Sequence, residues 1–355
     1  MRLSVSSKIW REVCSSLQCL NLDLSDFGWQ LTNLTDDASL ENFVNVVLQY
    51  YDTTRLNVFH LICRDKYLEK FALSFITEVT KFNPRIVNLD VPISYTNTFS
   101  SIFTCKSVED LHLTCQLRRG ILATPEVVTL LNLKKLCLTD AVIGGESFSK
   151  LLSGCPVIED LSLKNCIISG DGIVSNKTLK FLSWDGWSYF FLTICAPNLK
   201  SLEYTSSGNI TTLVNLSSLV FARTLLDEEL TKLPKFHNLK SLSLNGWCMA
   251  CHSGPVAWFL ENSLNLENLT VCLDRQHCLV KNKRNHHNLR QMEAPRCKKL
   301  KKLVIRVLKG YKKAYGSGMA FLKKFKDIEI AEIVLCNRVW IRNGFFKNCE
   351  GNRDH

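Results

Sequence analysis

A spaced apolar pattern, Leu-x-x-Leu-x-Leu with hydrophobic substitutions, returns along most of the chain. It reads Val108-Leu111-Leu113, Leu133-Leu136-Leu138, Ile158-Leu161-Leu163, Leu179-Leu182-Trp184, Leu199-Leu202-Tyr204, Leu216-Leu219-Phe221, Leu239-Leu242-Leu244, Leu266-Leu269-Val271 and Leu300-Leu303-Ile305. Weaker copies are Ile86-Leu89-Val91 and Leu289-Met292-Ala294. Most successive starts lie about 17 to 27 residues apart, the spacing expected when each leucine-rich repeat supplies one short strand and one return segment. One copy alone cannot bury its apolar side, whereas stacked copies share a continuous core. The expected fold is therefore α/β: a leucine-rich-repeat solenoid with irregular repeats and short parallel strands on the concave face. The uneven spacing and the aromatic replacements at Trp184, Tyr204 and Phe221 argue against regular, identical turns.

Strand alternation turns the pattern residues inward and leaves those between them on an exposed sheet surface. The candidate partner-binding residues on that surface are Asp160, Ser162 and Lys164, then Phe181, Ser183 and Asp185, then Ser201 and Glu203. Phe181 is the candidate anchor, because an aromatic ring supplies contact area at low entropic cost. The competing reading packs Phe181 on its neighbouring repeat.

Composition fits a folded chain: 46% of residues are hydrophobic and 22% charged, close to ordinary globular usage. The first residues are polar (Ser4, Ser6, Ser7, Lys8) rather than an apolar run, so no secretory signal is read and an intracellular protein, nuclear or cytoplasmic, is expected. The most apolar patch, 189–196, is too short to span a bilayer. Many of the 16 cysteines fall in or beside the strand patterns, as Cys115, Cys137, Cys166 and Cys272 do, where a cysteine in a reducing compartment reads as a small buried hydrophobe.

Cys248-Met249-Ala250-Cys251-His252 has the spacing of c-type haem attachment, but that chemistry needs an exported chain, so no haem is expected. Cys272, His277, Cys278, His286, His287 and Cys297 follow without the clean paired spacing of a zinc site. No cofactor or metal is therefore assigned. The chain also carries no Walker-type glycine loop, H-E-x-x-H or G-x-S-x-G, so it is expected to be non-catalytic.

Charge is uneven. Residues 281–326 hold 16 Lys/Arg against one acidic residue, Glu293, which leaves the rest of a chain of net charge +11 slightly acidic. Such a segment can steer phosphates or an acidic partner. The plainer reading is a solvated face of the last repeats, with Lys298, Lys299, Lys301 and Lys302 flanking buried Leu300 and Leu303. Aromatics for base stacking are confined to Tyr311, Tyr315 and their neighbours, so nucleic acid is not an expected partner.

The N-terminal run Ser4-Val5-Ser6-Ser7-Lys8-Ile9-Trp10-Arg11, followed by Ser16-Leu17-Gln18-Cys19-Leu20-Asn21-Leu22-Asp23, resembles the closing segment of plant F-box motifs. Next, Leu40, Phe43, Val44, Val47, Leu48 and Tyr51 share one helical face, with Asp37 or Ser39 able to cap it. The stretch from Phe43 to Leu61 resembles the linker that follows. Leu133-Lys134-Lys135-Leu136-Cys137-Leu138 and the run from Ser147 through Gly154-Cys155-Pro156 to Leu161 resemble a signature of plant F-box/leucine-rich-repeat proteins, and the last part loosely resembles their FBD-type extension. The resemblance implies a substrate receptor of an SCF-type cullin-RING ubiquitin ligase. Its F-box would dock a Skp-type adaptor, here through a residual segment with Ser7, Lys8, Trp10 and Arg11, and its repeats would hold an unidentified protein substrate. The Leu-Pro start and earlier helices of an F-box do not precede Trp10, so the F-box is expected to be truncated; Trp10 fits a plug for the first repeat equally well. The alternative is an F-box-deficient interaction or regulatory protein that does not engage the ligase. The organisation expected is 1–27 F-box remnant, 28–85 helical linker and N-terminal cap, 86–310 repeats, and 311–355 C-terminal cap or FBD-like extension.

Overall fold

The structure is a computed structural model and describes residues 18–24, 48, 56–65, 68–91, 100–115, 122, 124–188, 192–204, 210–224, 235–247, 259–273, 297–308, 312–325 and 328–336. Two compact units are formed, one by Met1–Pro197 with Ser206–Val214, the other by Asn198–Thr205 with Asn215–His355.

In the first unit the strands are β1 (Cys19–Asp23), β2 (Val58–Ile62), β3 (Ile86–Val91), β4 (Asp110–Cys115), β5 (Lys135–Thr139), β6 (Val142–Gly144), β7 (Asp160–Ser169), β8 (Gly172–Ser175), β9 (Phe181–Ser188), β10 (Leu192–Cys195) and, past the return of the chain, β12 (Ile210–Val214). Strands β1-β2-β3-β4-β5-β7-β9 lie side by side in that order, all parallel, with β6 also on β7. A second parallel sheet runs β12-β10-β8. In the second unit β11 (Ser201–Tyr204), β13 (Phe221–Thr224), β14 (Ser241–Trp247), β15 (Asn268–Leu273), β16 (Lys302–Leu308) and β17 (Ile330–Cys336) pair in sequence, again parallel. Successive strands joined by return segments, one per repeat, make this an α/β leucine-rich-repeat fold, as the pattern predicts.

The return segments include α1 (Glu69–Thr80), α2 (Ser100–Phe103) and α3 (Gly145–Ser153) in the first unit and α4 (Lys312–Leu322) in the second. Helix α1 buries Phe71, Ala72, Phe75, Ile76 and Val79, and its Phe75 ring sits 5.8 Å from Phe59 of β2. The core therefore lies on the helix side of the sheet, filled by the pattern residues: Leu111, Leu136, Leu161 and Leu182 align across β4, β5, β7 and β9, each at most 1% exposed.

Repeats meet through a recurring hydrogen-bond device. The first N–H of each strand and the one before it both donate to one carbonyl of the preceding repeat: Lys134 and Lys135 to Glu109, Glu159 and Asp160 to Lys134, Lys180 and Phe181 to Glu159, and in the second unit Lys240 and Ser241 to Val220 and Lys301 and Lys302 to Glu267. An asparagine ahead of the first pattern leucine adds to it. The amides of Asn132, Asn238 and Asn265 donate to the Lys106, Ser217 and His237 carbonyls at 2.9, 2.7 and 2.6 Å. These turns would otherwise leave backbone acceptors unpaired at every repeat boundary.

Two readings of the pattern are corrected. Phe221 pairs with Ser201 and Ser241 on the outward side, while Ala222 pairs with the core leucines Leu202 and Leu242. The pattern there runs Leu219-x-x-Ala222, three residues later than the leucines suggest, because Leu216 is buried in the preceding turn. Ile86 pairs with Asp110 and faces outward, so the third repeat is read from Val87 and Leu89, which pair with Leu111 and Leu113. The sheet also extends beyond 86–310: Leu56, Phe59 and Leu61 are buried as a full copy, and Leu20 and Leu22 pair with Phe59 and Leu61. The copy at Leu289-Met292-Ala294 and the helical face from Leu40 to Tyr51, apart from buried Leu48, lie outside the described residues.

A bulge interrupts the register between β7 and β9 at Lys164 and Cys166. The extra residue, Asn165, takes the left-handed conformation at φ 51°, which Asn tolerates better than most side chains. Its amide donates to Asp140, itself left-handed after β5. Opposite the bulge stands Gly186, where any Cβ would collide with the Cys166 carbonyl.

Candidate partner-binding face

Side-chain alternation and parallel register place the outward residues of the first unit in three columns. The first holds Ile86, Asp110, Lys135, Asp160 and Phe181; the second Asn88, His112, Cys137, Ser162 and Ser183; the third Asp90, Thr114, Thr139, Lys164 and Asp185. The structure thus brings Asp160, Ser162, Lys164, Phe181, Ser183 and Asp185 together on β7 and β9. Lys164 is exposed and Phe181 is 48% exposed, while the other four are partly covered. Ser201 and Glu203 are partly covered on β11 of the second unit, where Phe221 shares the column of Ser201 and Ser241. Ser7, Lys8, Trp10 and Arg11 lie outside the described residues, as do the Cys248 to His252 run and the histidines 277, 286 and 287.

Residues that the leucine pattern did not single out stand at the centre of this face. His60 and Asn88 meet side by side at 3.0 Å on β2 and β3. On β4 the His112 Nε2 lies 3.0 Å from an Asp110 carboxylate oxygen, and in the strand register the residue stands beside Cys137 of β5. The neighbouring Cys137 side chain, more than the Asp110 charge, holds the imidazole above its ordinary titration range against the cost of burial. Burial pushes the Cys137 thiol up, but the neighbouring His112 side chain together with the Lys164 charge outweighs it and leaves the thiol below the ordinary range. Burial raises the Asp160 carboxyl, partly offset by Lys135. The signal was present in the parity of each strand, since Phe-His-Leu, Leu-His-Leu, Leu-Cys-Leu and Leu-Ser-Leu put the middle residue outward. Cys137, read as a buried hydrophobe, shares that outward column though only 8% exposed, and Cys272, read the same way, is half-buried at an outward position paired with Arg306, whereas Cys115 and Cys166 are inside.

A charged border runs along the strand entries one residue ahead of this face. Glu109 accepts from Arg85 and Lys134 at 2.7 and 2.9 Å, and Lys180 pairs with Glu159 at 2.8 Å. In the second unit Lys298, Lys299 and Lys301 are exposed beside buried Leu300 and Leu303, Lys299 donates to Asn265 at 2.7 Å, and Lys302 lies 4.0 Å from Glu332. The described part of the basic segment is thus a solvated strand face with local partners. No helix among the described residues is long and apolar enough to cross a membrane.

Stacked parallel strands with polar, outward-facing columns define a leucine-rich-repeat protein, and its similarities lie with plant proteins. Residues 65–210 match the family described as FBD-associated F-box protein At5g56370, LRR repeats. From Arabidopsis thaliana, F-box/LRR-repeat protein At4g14103 is 31% identical over 233 residues, 62% of this chain and 60% of that protein. F-box/LRR-repeat protein 25 is 30% identical over 172 residues, 47% of this chain and 59% of that protein, and F-box/LRR-repeat protein At1g06630 is 31% identical over 238 residues, 63% and 58% respectively. These matches bear out the resemblance to plant F-box/leucine-rich-repeat proteins. The chain spans about half the length of the curated relatives it matches.

Proposed function

We propose that this protein is a substrate receptor of an SCF-type cullin-RING ubiquitin ligase in the nucleus or cytoplasm, holding a protein partner on the outward sheet face and contributing no chemistry of its own to ubiquitin transfer. The observation that carries the reading is the outward grid of β4, β5, β7 and β9, with the half-exposed Phe181 ring beside Asp160 at one edge and the Lys164 and Asp185 pair two columns away. An aromatic anchor bordered by charges is the arrangement in which a few buried contacts supply most of the binding energy. The likeness to F-box/LRR-repeat proteins supports the ligase half of the proposal.

Two measurements separate the halves. Purified plant Skp-type adaptor and cullin are offered to the tagged chain: their recovery supports a ligase role, and their absence alongside intact partner capture favours an interaction protein that does not engage the ligase. Partner capture is then compared between the parent and a Phe181→Ala, Lys164→Ala double variant that retains its fold. Unchanged capture by the variant overturns the assignment of this face.

A further inference from the structure

We propose that Cys137 is a peroxide-oxidisable thiol served by His112, formed where β4 and β5 set the two side by side and Asp110 stands 3.0 Å from the imidazole. The cluster is a thiol, an imidazole and a nearby carboxylate, assembled from three outward positions of adjacent strands. The buried cysteines nearby occupy inward or junction positions: Cys115 and Cys166 are 1% and 0% exposed, and the Cys155 thiol donates to the Leu151 carbonyl at 3.2 Å. Only a thiolate attacks peroxide at a useful rate, so burial without a cation leaves those thiols inert.

Every charged group around Cys137 can be named. Asp110 and His112 face it from β4, Lys135 lies on its own strand, and Asp160 and Lys164 stand on β7. Lys164 and the imidazolium favour the thiolate, and the directions of titration agree: burial raises Cys115, Cys155 and Cys166, whereas for Cys137 the cations overcome it. In the reaction the Cys137 thiolate attacks one oxygen of hydrogen peroxide. An S–O bond forms as the O–O bond breaks, and the leaving hydroxide takes the His112 imidazolium proton to depart as water. Sulfur is oxidised by two electrons to sulfenic acid, peroxide is reduced, and His112 is left neutral. The product stands in the middle column of the outward face, so oxidation would alter partner capture; that consequence alone rests on the function proposed above.

The test uses the folded full-length chain and needs no partner, so it can fail independently of the receptor reading. Iodoacetamide labelling is followed by peptide mass spectrometry across pH, with exposed Cys19 as the reference thiol. The pH midpoint, not the limiting rate, is compared, because cover slows Cys137 at every pH and burial alone would move its midpoint upward, opposite to the result expected. The midpoint for Cys137 should lie below that of Cys19, and dimedone trapping after hydrogen peroxide should mark Cys137 about 10-fold over Cys115 and Cys166. His112→Asn and His112→Gln should raise the midpoint, because burial then acts with less opposition, and reduce trapping about 10-fold. A parent midpoint at or above that of Cys19 overturns the proposal whatever the variants do, as does trapping no stronger than at Cys166. So does an unchanged midpoint in the folded His112 variants.

Discussion

Leu161 is wholly buried between Leu136 and Leu182 in the aligned core row. Its replacement by alanine removes packed methyl groups that neighbouring repeats cannot refill, so Leu161→Ala should cost about 2 to 5 kcal/mol in denaturant unfolding. Phe181 occupies the same strand layer one position earlier than Leu182, yet it faces the other way and is 48% exposed. Phe181→Ala should therefore leave the melting temperature nearly unchanged while weakening partner capture by about 10-fold, in the range of a binding anchor. A matching fall in stability with unaltered capture would show that the ring belongs to repeat packing instead. The opposite fates of two adjacent apolar residues follow from the two-residue period of a strand.

At the level of elements, stability depends on how one repeat is clamped to the next. Glu109 joins its neighbours through Lys134 and Arg85, and those two hydrogen bonds hold its carboxyl below the ordinary value of 4.5. A depressed carboxylate contributes stability that is present above its unfolded pKa and lost as pH falls through the folded value. Glu109→Gln should consequently melt below the parent near neutrality, and the two curves should converge as pH drops below about 4.5; a constant gap down to strongly acid pH would show that the carboxylate's charge is not what the clamp uses. The bulge between β7 and β9 makes a second prediction. The extra residue Asn165 drives the Cys166 carbonyl into the space of a β9 side chain, so Gly186→Ala should destabilise by about 1 to 3 kcal/mol, measured by thermal or urea unfolding, the usual cost of an overpacked site.

For the molecule as a whole, each strand touches mainly its sequence neighbours, so damage should travel along the repeats with distance. In the Leu161→Ala variant, amide exchange should accelerate first in β5, β7 and β9, with β1 and β2 and the second unit's β14 to β16 retaining protection. Simultaneous loss everywhere would indicate one cooperative unit, contrary to the division of the chain into two compact bodies.

The leucine spacing by itself determined the fold class, because an apolar residue at every pattern position can be buried only by stacking copies, and that requirement is local enough to read along one chain. It also determined which residues of β7 and β9 face outward, since strand parity needs no partner to be known. Where the copies were imperfect, the phase was decided by tertiary structure. Ala222 carries no leucine signal, and only its pairing with Leu202 and Leu242 reveals that it, rather than Leu219, is the strand residue that points into the core. The His112 and Cys137 pair was hidden for a related reason. Twenty-five positions separate them, so the chemistry they share exists only once β4 and β5 are in register, which depends on the hydrogen bonds that Lys134 and Lys135 send to the Glu109 carbonyl.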